Sequence, residues 1–340
     1  MKKPAVLVSS LILALVTAAS AAGQSLDIPS KTWGVSFGNS KEFAGLRFNF
    51  RDSQVRKISG INVTLWQPRK DNKESLVTGI SIGMIPGGGR LRGLQLGILG
   101  IGAERDMKGL SVGLLGAGAG EDITGINIGG LGIGAGKNVK GLNVGGLGAG
   151  AGEDLTGISI GGLGVGCGND LKGFSFGGLG VGAGENAQGI TVGGLGAGAG
   201  KNMIGLNIGG IGLGAGERLA GINLAGIGAG AGDELNGLTL AGIGAGAPKV
   251  RGLVMAGWAT GGMDLKGAFL AGICVYVPKD GRISGLAASP FNFIKGSQSG
   301  IAIGIVNYAF RVKGVQIGLV NIVRDNPRSL RILPLFNTSF

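Results

Sequence analysis

The sequence predicts an all-β repeat protein, and three observations lead to that fold class. Glycine accounts for 77 of the 340 residues while 44% of the chain is still hydrophobic, and this combination favours ordered structure over a polar disordered linker. A glycine followed by a hydrophobic residue recurs at a constant spacing, from Gly93, Gly109 and Gly125 through to Gly237. Apolar residues alternate at a period of two within each repeat, which is typical of β-strands and excludes a helix.

The N-terminal segment over 1–22 has the pattern of a cleaved secretory signal peptide. Lys2 and Lys3 precede an apolar run from Ala5 to Val16, and small residues follow at positions 19–21. The run is short for a membrane span. No cysteine follows the apolar core, so we expect no lipid-modified N-terminus. This pattern predicts an exported protein.

We expect residues 23–340 to form a single β-repeat domain. Irregular repeats over 45–92 lead into regular 16-residue repeats over 93–251, and irregular repeats follow over 252–340. Each regular repeat reads G-Φ-x-Φ-G-G-Φ-G-Φ-G-Φ-G, where Φ is hydrophobic, and a short turn sequence follows. The parity of the apolar residues shifts at Gly145-Gly146, which predicts a bend there. The apolar set of this repeat is Leu142, Val144, Leu147, Ala149 and Ala151.

The turn sequences alternate in charge, which favours a two-strand, 32-residue unit. Glu121-Asp-Ile-Thr is followed one repeat later by Lys137-Asn-Val-Lys. Such a unit suits an antiparallel meander. We expect about 20 short strands, including 33–37 and 331–340, closed into a barrel or barrel-like array because closure removes sticky edges. The C-terminal phenylalanine resembles the ending of bacterial outer-membrane barrels.

A β-solenoid with 16-residue coils is the alternative architecture. Successive turns would then stack about 4.8 Å apart, and the alternation of charge would keep like charges from stacking. Tyr and Trp together number only five, too few for the aromatic girdles of a membrane barrel. Both architectures therefore stay open at this point.

The C-terminal repeats GIAIGIVNYAFRVKGVQIGLVNIVRDN, over 300–326, resemble a known family. They are similar to the G-V-Q-I-G-L-V-N units of bacterial surface-repeat proteins of the spirochaete type, and GLRFNF and GINVTLW resemble the opening repeats of that group. The resemblance implies a location in the cell envelope or at the cell surface, and it implies no activity. The chain departs from the many members that look like lipoproteins, because it lacks their lipidated cysteine.

The sequence offers no catalytic, cofactor or metal constellation. It contains no histidine, which excludes Ser-His-Asp and Cys-His machinery and the usual zinc sites. Its G-x-G spacings repeat without the following helix that a phosphate loop needs. The turn position that holds Asp106 and Asp122 forms a column along the repeats, and half of the residues in this column lack a carboxylate. A calcium-binding β-roll needs those carboxylates, so the column does not predict one. We therefore expect neither an enzyme nor a cofactor.

Net charge is +12, but the basic residues form no run among aromatic residues, so we expect no nucleic-acid partner.

One column of residues is a candidate binding ladder, because a short polar residue occupies the same point of every strand. In a solenoid it would be an exposed flat surface, and in a barrel it would line the inside. The column consists of Ser111, Asn127, Asn143, Ser159, Ser175, Thr191, Asn207, Asn223 and Thr239.

These inferences predict a non-catalytic repeat protein of the cell envelope or outer membrane, with a structural or passive transport-like role. The alternative function is a surface-exposed solenoid scaffold for binding or adhesion. A membrane or envelope surface is the expected partner, and a protein or glycan partner stays unspecified. The alternative addresses are periplasmic or secreted.

Overall fold

A computed structural model describes residues 25–339, which form 31 strands and one short 3-10 helix. The chain divides into two compact units, residues 1–168 and 169–340, called here the first unit and the second unit. The predicted signal peptide over 1–22 lies outside the described residues.

The first unit contains fourteen strands in its described part. They are β1 (Ser25–Pro29), β2 (Trp33–Gly38), β3 (Glu42–Arg51), β4 (Lys57–Trp66), β5 (Leu76–Gly83), β6 (Gly87–Gly97), β7 (Gly100–Gly113), β8 (Gly116–Ala119), β9 (Ile123–Gly129), β10 (Gly132–Ala135), β11 (Val139–Gly145), β12 (Gly148–Ala151), β13 (Leu155–Gly161) and β14 (Gly164–Cys167).

The second unit contains the other seventeen strands. They are β15 (Leu171–Gly177), β16 (Gly180–Ala183), β17 (Asn186–Gly193), β18 (Gly196–Ala199), β19 (Asn202–Gly209), β20 (Gly212–Ala215), β21 (Arg218–Ala225), β22 (Gly228–Ala231), β23 (Glu234–Ala241), β24 (Gly244–Gly246), β25 (Lys249–Ala256), β26 (Ala259–Gly261), β27 (Asp264–Ala271), β28 (Cys274–Val277), β29 (Arg282–Ala288), β30 (Phe291–Val323) and β31 (Ile332–Asn337). The 3-10 helix, Arg328–Leu330, precedes β31.

Each regular repeat is one complete coil of a β-solenoid. In the first unit, β11 pairs in parallel with β9 and β13, so Asn143 lies between Asn127 and Ser159. The short strand β12 pairs in the same way with β10 and β14. The second unit repeats this arrangement, for example where Asn207 lies between Thr191 and Asn223. The predicted alternative, a β-solenoid in which one repeat forms one coil, is therefore confirmed.

The prediction of a closed antiparallel barrel is wrong, and so is the two-strand hairpin unit. Residues one repeat apart pair in parallel and in register, whereas a hairpin would pair residues mirrored about each turn. The strand number exceeds the expected total because each repeat forms two strands separated by a bend. That bend falls between β11 and β12, at the predicted Gly145-Gly146 step.

The predicted terminal strands are present, and the strand at each end of the described chain runs antiparallel to its neighbour. β2 covers the predicted strand over 33–37 and pairs in parallel with β3, whereas β1, which the sequence did not predict, pairs antiparallel with β2. β31 lies within the predicted strand over 331–340 and pairs antiparallel with β30. All other pairings within each unit are parallel among residues 25–339, as in β3 with β4. A reversed terminal strand breaks the parallel template that would otherwise continue into another chain.

In the regular repeats, the largest fully buried side chains come from positions that the sequence assigned to turns. Met107, Ile123, Val139 and Leu155 stack in the first unit with no exposed surface. In the second unit Leu171, Ala187, Met203 and Leu219 form the same kind of column. Met107 lies inside β7, and at the other residues of these columns the long strand begins at the buried residue or just before it, so only part of each predicted turn leaves the sheet. Small alanines of the short strands, such as Ala149 and Ala151, fill the rest of the interior.

One glycine column sets the shape of the coil. Gly125 and Gly141 have φ angles of +127° and +115°, a region that glycine adopts freely and other residues avoid. A Cβ on Gly141 would also overlap the carbonyl oxygen of Gly125 in the adjacent coil. Positive φ recurs in the second unit, for instance at Gly189 and Gly205. This column holds glycine because both the backbone angle and the stacking require it.

Candidate binding surface

The predicted polar ladder is buried, so it cannot bind a partner at the surface. All nine of its residues have 0% relative exposure. Ser111, Asn127, Asn143 and Ser159 stack in the first unit, and Ser175 to Thr239 stack in the second. The expectation that a solenoid would expose this column is wrong. The residue between the two Φ positions of each repeat points into the coil.

Parallel stacking lets these buried polar side chains bond to one another. Asn127 donates to Asn143 Oδ1 at 2.9 Å, and Asn207 donates to Asn223 Oδ1 at 2.9 Å. The hydroxyls of Ser159, Ser175 and Thr191 are buried without a hydrogen-bond partner in the described part of the chain. An amide ladder satisfies groups that would otherwise cost free energy when buried. The ladder is thus a structural feature of the core, and only some of its hydrogen-bonding groups have partners.

The hydrophobic residues on either side of the ladder point outward. In the first unit Leu110, Ile126, Ile128 and Ile158 are exposed on the long-strand face. A second column lies at the corner before the short strand, where Leu115, Leu131, Leu147 and Leu163 are 47–49% exposed. The second unit has the same corner column, from Leu179 and Leu195 to Ile243. Exposed apolar surface of this extent marks interaction sites on soluble proteins.

The short-strand face next to this corner carries glycine. Gly102 and Gly134 of the first unit, and Gly182 and Gly214 of the second, point outward with nothing within 4 Å of an added Cβ. Their φ values lie outside the positive region that excludes side chains. The fold of the coil would therefore tolerate side chains here, in contrast to the column at Gly141. The outcome is a flat face without side chains.

An open apolar groove of about 820 Å³ runs along the second unit. One side is formed by outward residues of successive long strands, from Ile208 through Leu224 and Leu240 to Leu270, and the glycines and alanines that follow them form the floor. Sequence reasoning missed this groove and the outward columns, because for a solenoid it expected the apolar residues to line the interior. The parity break at the glycine pair was the available signal, but it does not say which face is internal.

Charged residues concentrate on the remaining edge, where they form an inter-coil ladder. Glu121 lies 3.4 Å from Arg105 and 3.3 Å from Lys137 in the adjacent coils of the first unit. In the second unit Lys201 lies 3.0 Å from Glu185, and hydrogen bonding to that carboxylate raises the pKa of Lys201. The alternation of turn charge that suggested hairpins therefore places opposite charges in neighbouring coils.

The aspartate column forms amide ladders. Asn138 donates to Asp122 at 2.9 Å, and Asn202 donates to Asn186, which donates to Asp170. Hydrogen bonds from Lys172 and Asn186 lower the pKa of Asp170. Within residues 25–339 no group of three or more His, Cys, Asp or Glu side chains is placed to hold a metal ion. In these ladders a carboxylate pairs with an amide where a calcium β-roll would need a second carboxylate.

Both cysteines are of intermediate burial. Cys167 pairs with Ala151 in the adjacent coil, in a position that holds alanine in neighbouring repeats. Burial raises the pKa of the Cys274 thiol, which disfavours the reactive thiolate. In the part of the chain that the structure describes, no helix has the length and hydrophobicity to cross a membrane.

The ion pair at Asp264 predicts a pH-dependent contribution to stability. Arg282 donates two hydrogen bonds to Asp264, at 2.8 and 3.0 Å, and this lowers the Asp264 pKa from its ordinary value of 3.8. A lowered folded pKa stabilises the protein above the unfolded pKa, and this contribution disappears as pH falls through the folded pKa. We expect Asp264→Asn to reduce the unfolding free energy by at most about 1 kcal/mol at pH 7, because the pair is partly exposed.

Urea denaturation at pH 7 and at about pH 3 measures this effect. The difference between wild type and Asp264→Asn should shrink at the lower pH. Asp233→Asn is the matched control, because Asp233 is exposed and forms no ion pair within residues 25–339. If Asp264→Asn lowered the free energy of unfolding equally or more at the lower pH, the result would contradict the stabilising role of this ion pair.

These features define the class of the protein: a parallel β-solenoid with a packed interior, an apolar outer surface and one charged edge. Comparisons with known proteins found no matching family model, no matching curated protein and no matching solved structure. The class therefore follows from the geometry of the coils.

Proposed function

We propose that this protein is an exported, non-catalytic β-solenoid scaffold that binds components of the cell envelope through its outer surface. The observation that carries the proposal is the outward direction of the apolar columns, represented by Ile126 and Leu131, on coils whose interior is filled. Apolar columns exposed to water are unfavourable in free energy unless a binding partner covers them, and they therefore mark an interaction surface. Leu155 and Asn143 occupy the inside of the coil, so the proposal does not include a transport-like role, which depended on the lumen of a barrel.

Export and the envelope address are parts of this proposal. The predicted signal peptide over 1–22 and the resemblance of 300–326 to surface-repeat proteins support them. A membrane or cell-surface location fits the apolar exterior, and a periplasmic or secreted location is the alternative. The absence of histidine from the sequence supports the non-catalytic role. The near-identical turn sequences support it as well, because catalysis needs one unique group of desolvated catalytic side chains and no single turn differs from the others in this way.

Cell fractionation in a diderm host tests this proposal. The full chain should be processed after the signal segment, sediment with the envelope, and be released by alkaline carbonate without detergent, as a peripherally bound protein is. A chain lacking residues 2–22 is the matched control and should stay in the cytoplasm. Retention of the full chain in the cytoplasm, or release from the envelope by detergent alone, would contradict the proposal.

A further inference from the structure

An exposed aromatic patch lies on the last coils of the second unit. It consists of Trp258, Tyr276, Phe291, Phe293 and Phe310, which are 38–59% exposed. The rings of Phe291 and Phe293 stack with centroids 6.3 Å apart. Aromatic residues make up only 5% of the chain, so five exposed rings on neighbouring coils are a local concentration.

The patch begins where the flat glycine face ends. Strand pairing places Gly246, Gly261, Tyr276 and Phe293 one above the other on the outside of successive short strands. The residues between these outward positions stay inside, as Val275 and Asn292 do with 0% exposure. The coil geometry is therefore kept while its outer surface changes from bare backbone to aromatic rings. This change adds exposed apolar surface that the core does not use.

The same segment carries a large net positive charge. Residues 249–340 contain eleven Lys and Arg but only three Asp and no Glu, whereas residues 93–248 contain seven Lys and Arg against eleven Asp and Glu. Two of those three aspartates are already paired, Asp264 with Arg282 and Asp325 with Arg311. Lys279, Lys313 and Arg324 form no ion pair within residues 25–339. The segment thus has a large excess of cations.

Basic and aromatic groups meet within the patch. The Lys295 Nζ lies 5.4 Å from the centroid of the Tyr276 ring. The Asp325 amide donates to the Phe310 carbonyl oxygen at 3.0 Å, which places the neighbouring Arg324 in the next coil after Phe310. Rings that insert at the level of the headgroups, flanked by Lys and Arg, are the combination that binds proteins to the surface of anionic bilayers.

We propose that the last coils of the second unit bind an anionic lipid bilayer peripherally, with the aromatic patch inserted among the headgroups and the surrounding cations facing the lipid phosphates. This inference deepens the proposed function, on which it rests, by naming the surface that the scaffold binds. Charge complementarity selects the occupant. A second copy of the chain would bring two cationic surfaces together, whereas an anionic bilayer neutralises them.

Vesicle flotation with the purified full chain tests the inference. We expect binding to phosphatidylcholine vesicles that contain about 30% phosphatidylglycerol, and at least about tenfold weaker binding to phosphatidylcholine alone. Raising NaCl from about 0.05 M to about 0.5 M should weaken the binding to anionic vesicles, because salt screens the cations. Trp258 fluorescence, measured after Trp33→Phe and Trp66→Phe, should shift to shorter wavelength when anionic vesicles are added.

Two sets of variants locate the binding surface. The combined variant Tyr276→Ser, Phe293→Ser and Phe310→Ser should lower the affinity for anionic vesicles by about tenfold or more, since about 1.4 kcal/mol of lost contact is a factor of ten. The charge variant Lys295→Glu and Lys313→Glu changes two exposed residues and should weaken binding even if the aromatic variant fails to fold. Lys108→Glu with Lys140→Glu is the matched control, because it makes the same charge change at two exposed lysines of the first unit that lie outside the apolar columns, and it should bind normally.

Several results would overturn the inference. They are absence of vesicle binding, equal binding to zwitterionic vesicles, equal loss in the first-unit control, and unchanged binding in folded patch and charge variants. Sedimentation velocity tests the other occupant: a dimer that is lost in the patch variant, without vesicle binding, would assign the patch to a second copy. An exported, envelope-bound wild-type chain that fails on vesicles would reject this inference alone, whereas a chain retained in the cytoplasm would reject the proposed function.

Discussion

Gly141→Ala is expected to lower the free energy of unfolding by about 1–3 kcal/mol from backbone strain alone. Gly141 has a φ of +115°, which disfavours every residue with a Cβ. The new methyl group would also overlap the carbonyl oxygen of Gly125. Since the coils stack directly, the overlap cannot be relieved without displacing a neighbouring strand. Denaturation in urea, followed by circular dichroism, measures the loss.

Gly134→Ala is the matched control for this experiment. Gly134 lies in the same unit, also within a strand, but nothing lies within 4 Å of an added Cβ and its φ is not positive. We expect this substitution to be neutral, or to stabilise by about 0.4–1 kcal/mol through the reduced entropy of the unfolded chain. Equal effects at Gly134 and Gly141 would mean that the glycine column does not set the coil geometry.

Leu155→Ala should cost about 2–5 kcal/mol, because it leaves a cavity among fully buried side chains. Leu155 has 0% exposure and stacks on Val139 in the adjacent coil. The sequence alone placed Leu155 in a turn, where truncation would have little effect. The free energy of unfolding from urea denaturation again gives the measurement.

Leu147→Ala removes the same atoms from the corner column and serves as the comparison. Leu147 is 49% exposed, so we expect a loss below about 1 kcal/mol. The ratio of the two losses tests which apolar residues face the core. A larger loss at Leu147 than at Leu155 would reverse the assignment of inside and outside and contradict the solenoid described above.

The sequence repeat predicted the strands and the bend of each coil, but it did not predict which residues face outward. The constant repeat period and the alternation within it predicted β-strands, and the shift at Gly145-Gly146 predicted the bend between β11 and β12. Alternation shows that a strand has two different faces, but it does not say which one is internal. In a globular sheet the Φ positions would be buried. In this narrow coil, Asn143 is buried while Leu147 is exposed.

The candidate surfaces depended on this inversion, so the sequence could not locate them. The polar ladder stood out because its short polar side chains repeat, and that regularity reflects stacking inside the core, where Asn127 bonds to Asn143. The aromatic patch is irregular in sequence. The separation of Tyr276 from Phe293 along the chain does not match the regular repeat, and only the pairing of β28 with β30 places them together.

The sequence by itself determined that the chain is an all-β repeat with alternating charges and no histidine chemistry. Only the tertiary structure decided the direction of strand pairing, because an alternation of Glu121 and Lys137 suits both a hairpin and a stack. Parallel stacking was decided by contacts between residues of successive repeats, which no single repeat contains. Once the coils stack in parallel, each glycine with positive φ in the regular array lies on another glycine. The hydrophobic residues that flank the polar ladder, such as Ile126 and Ile158, then face outward.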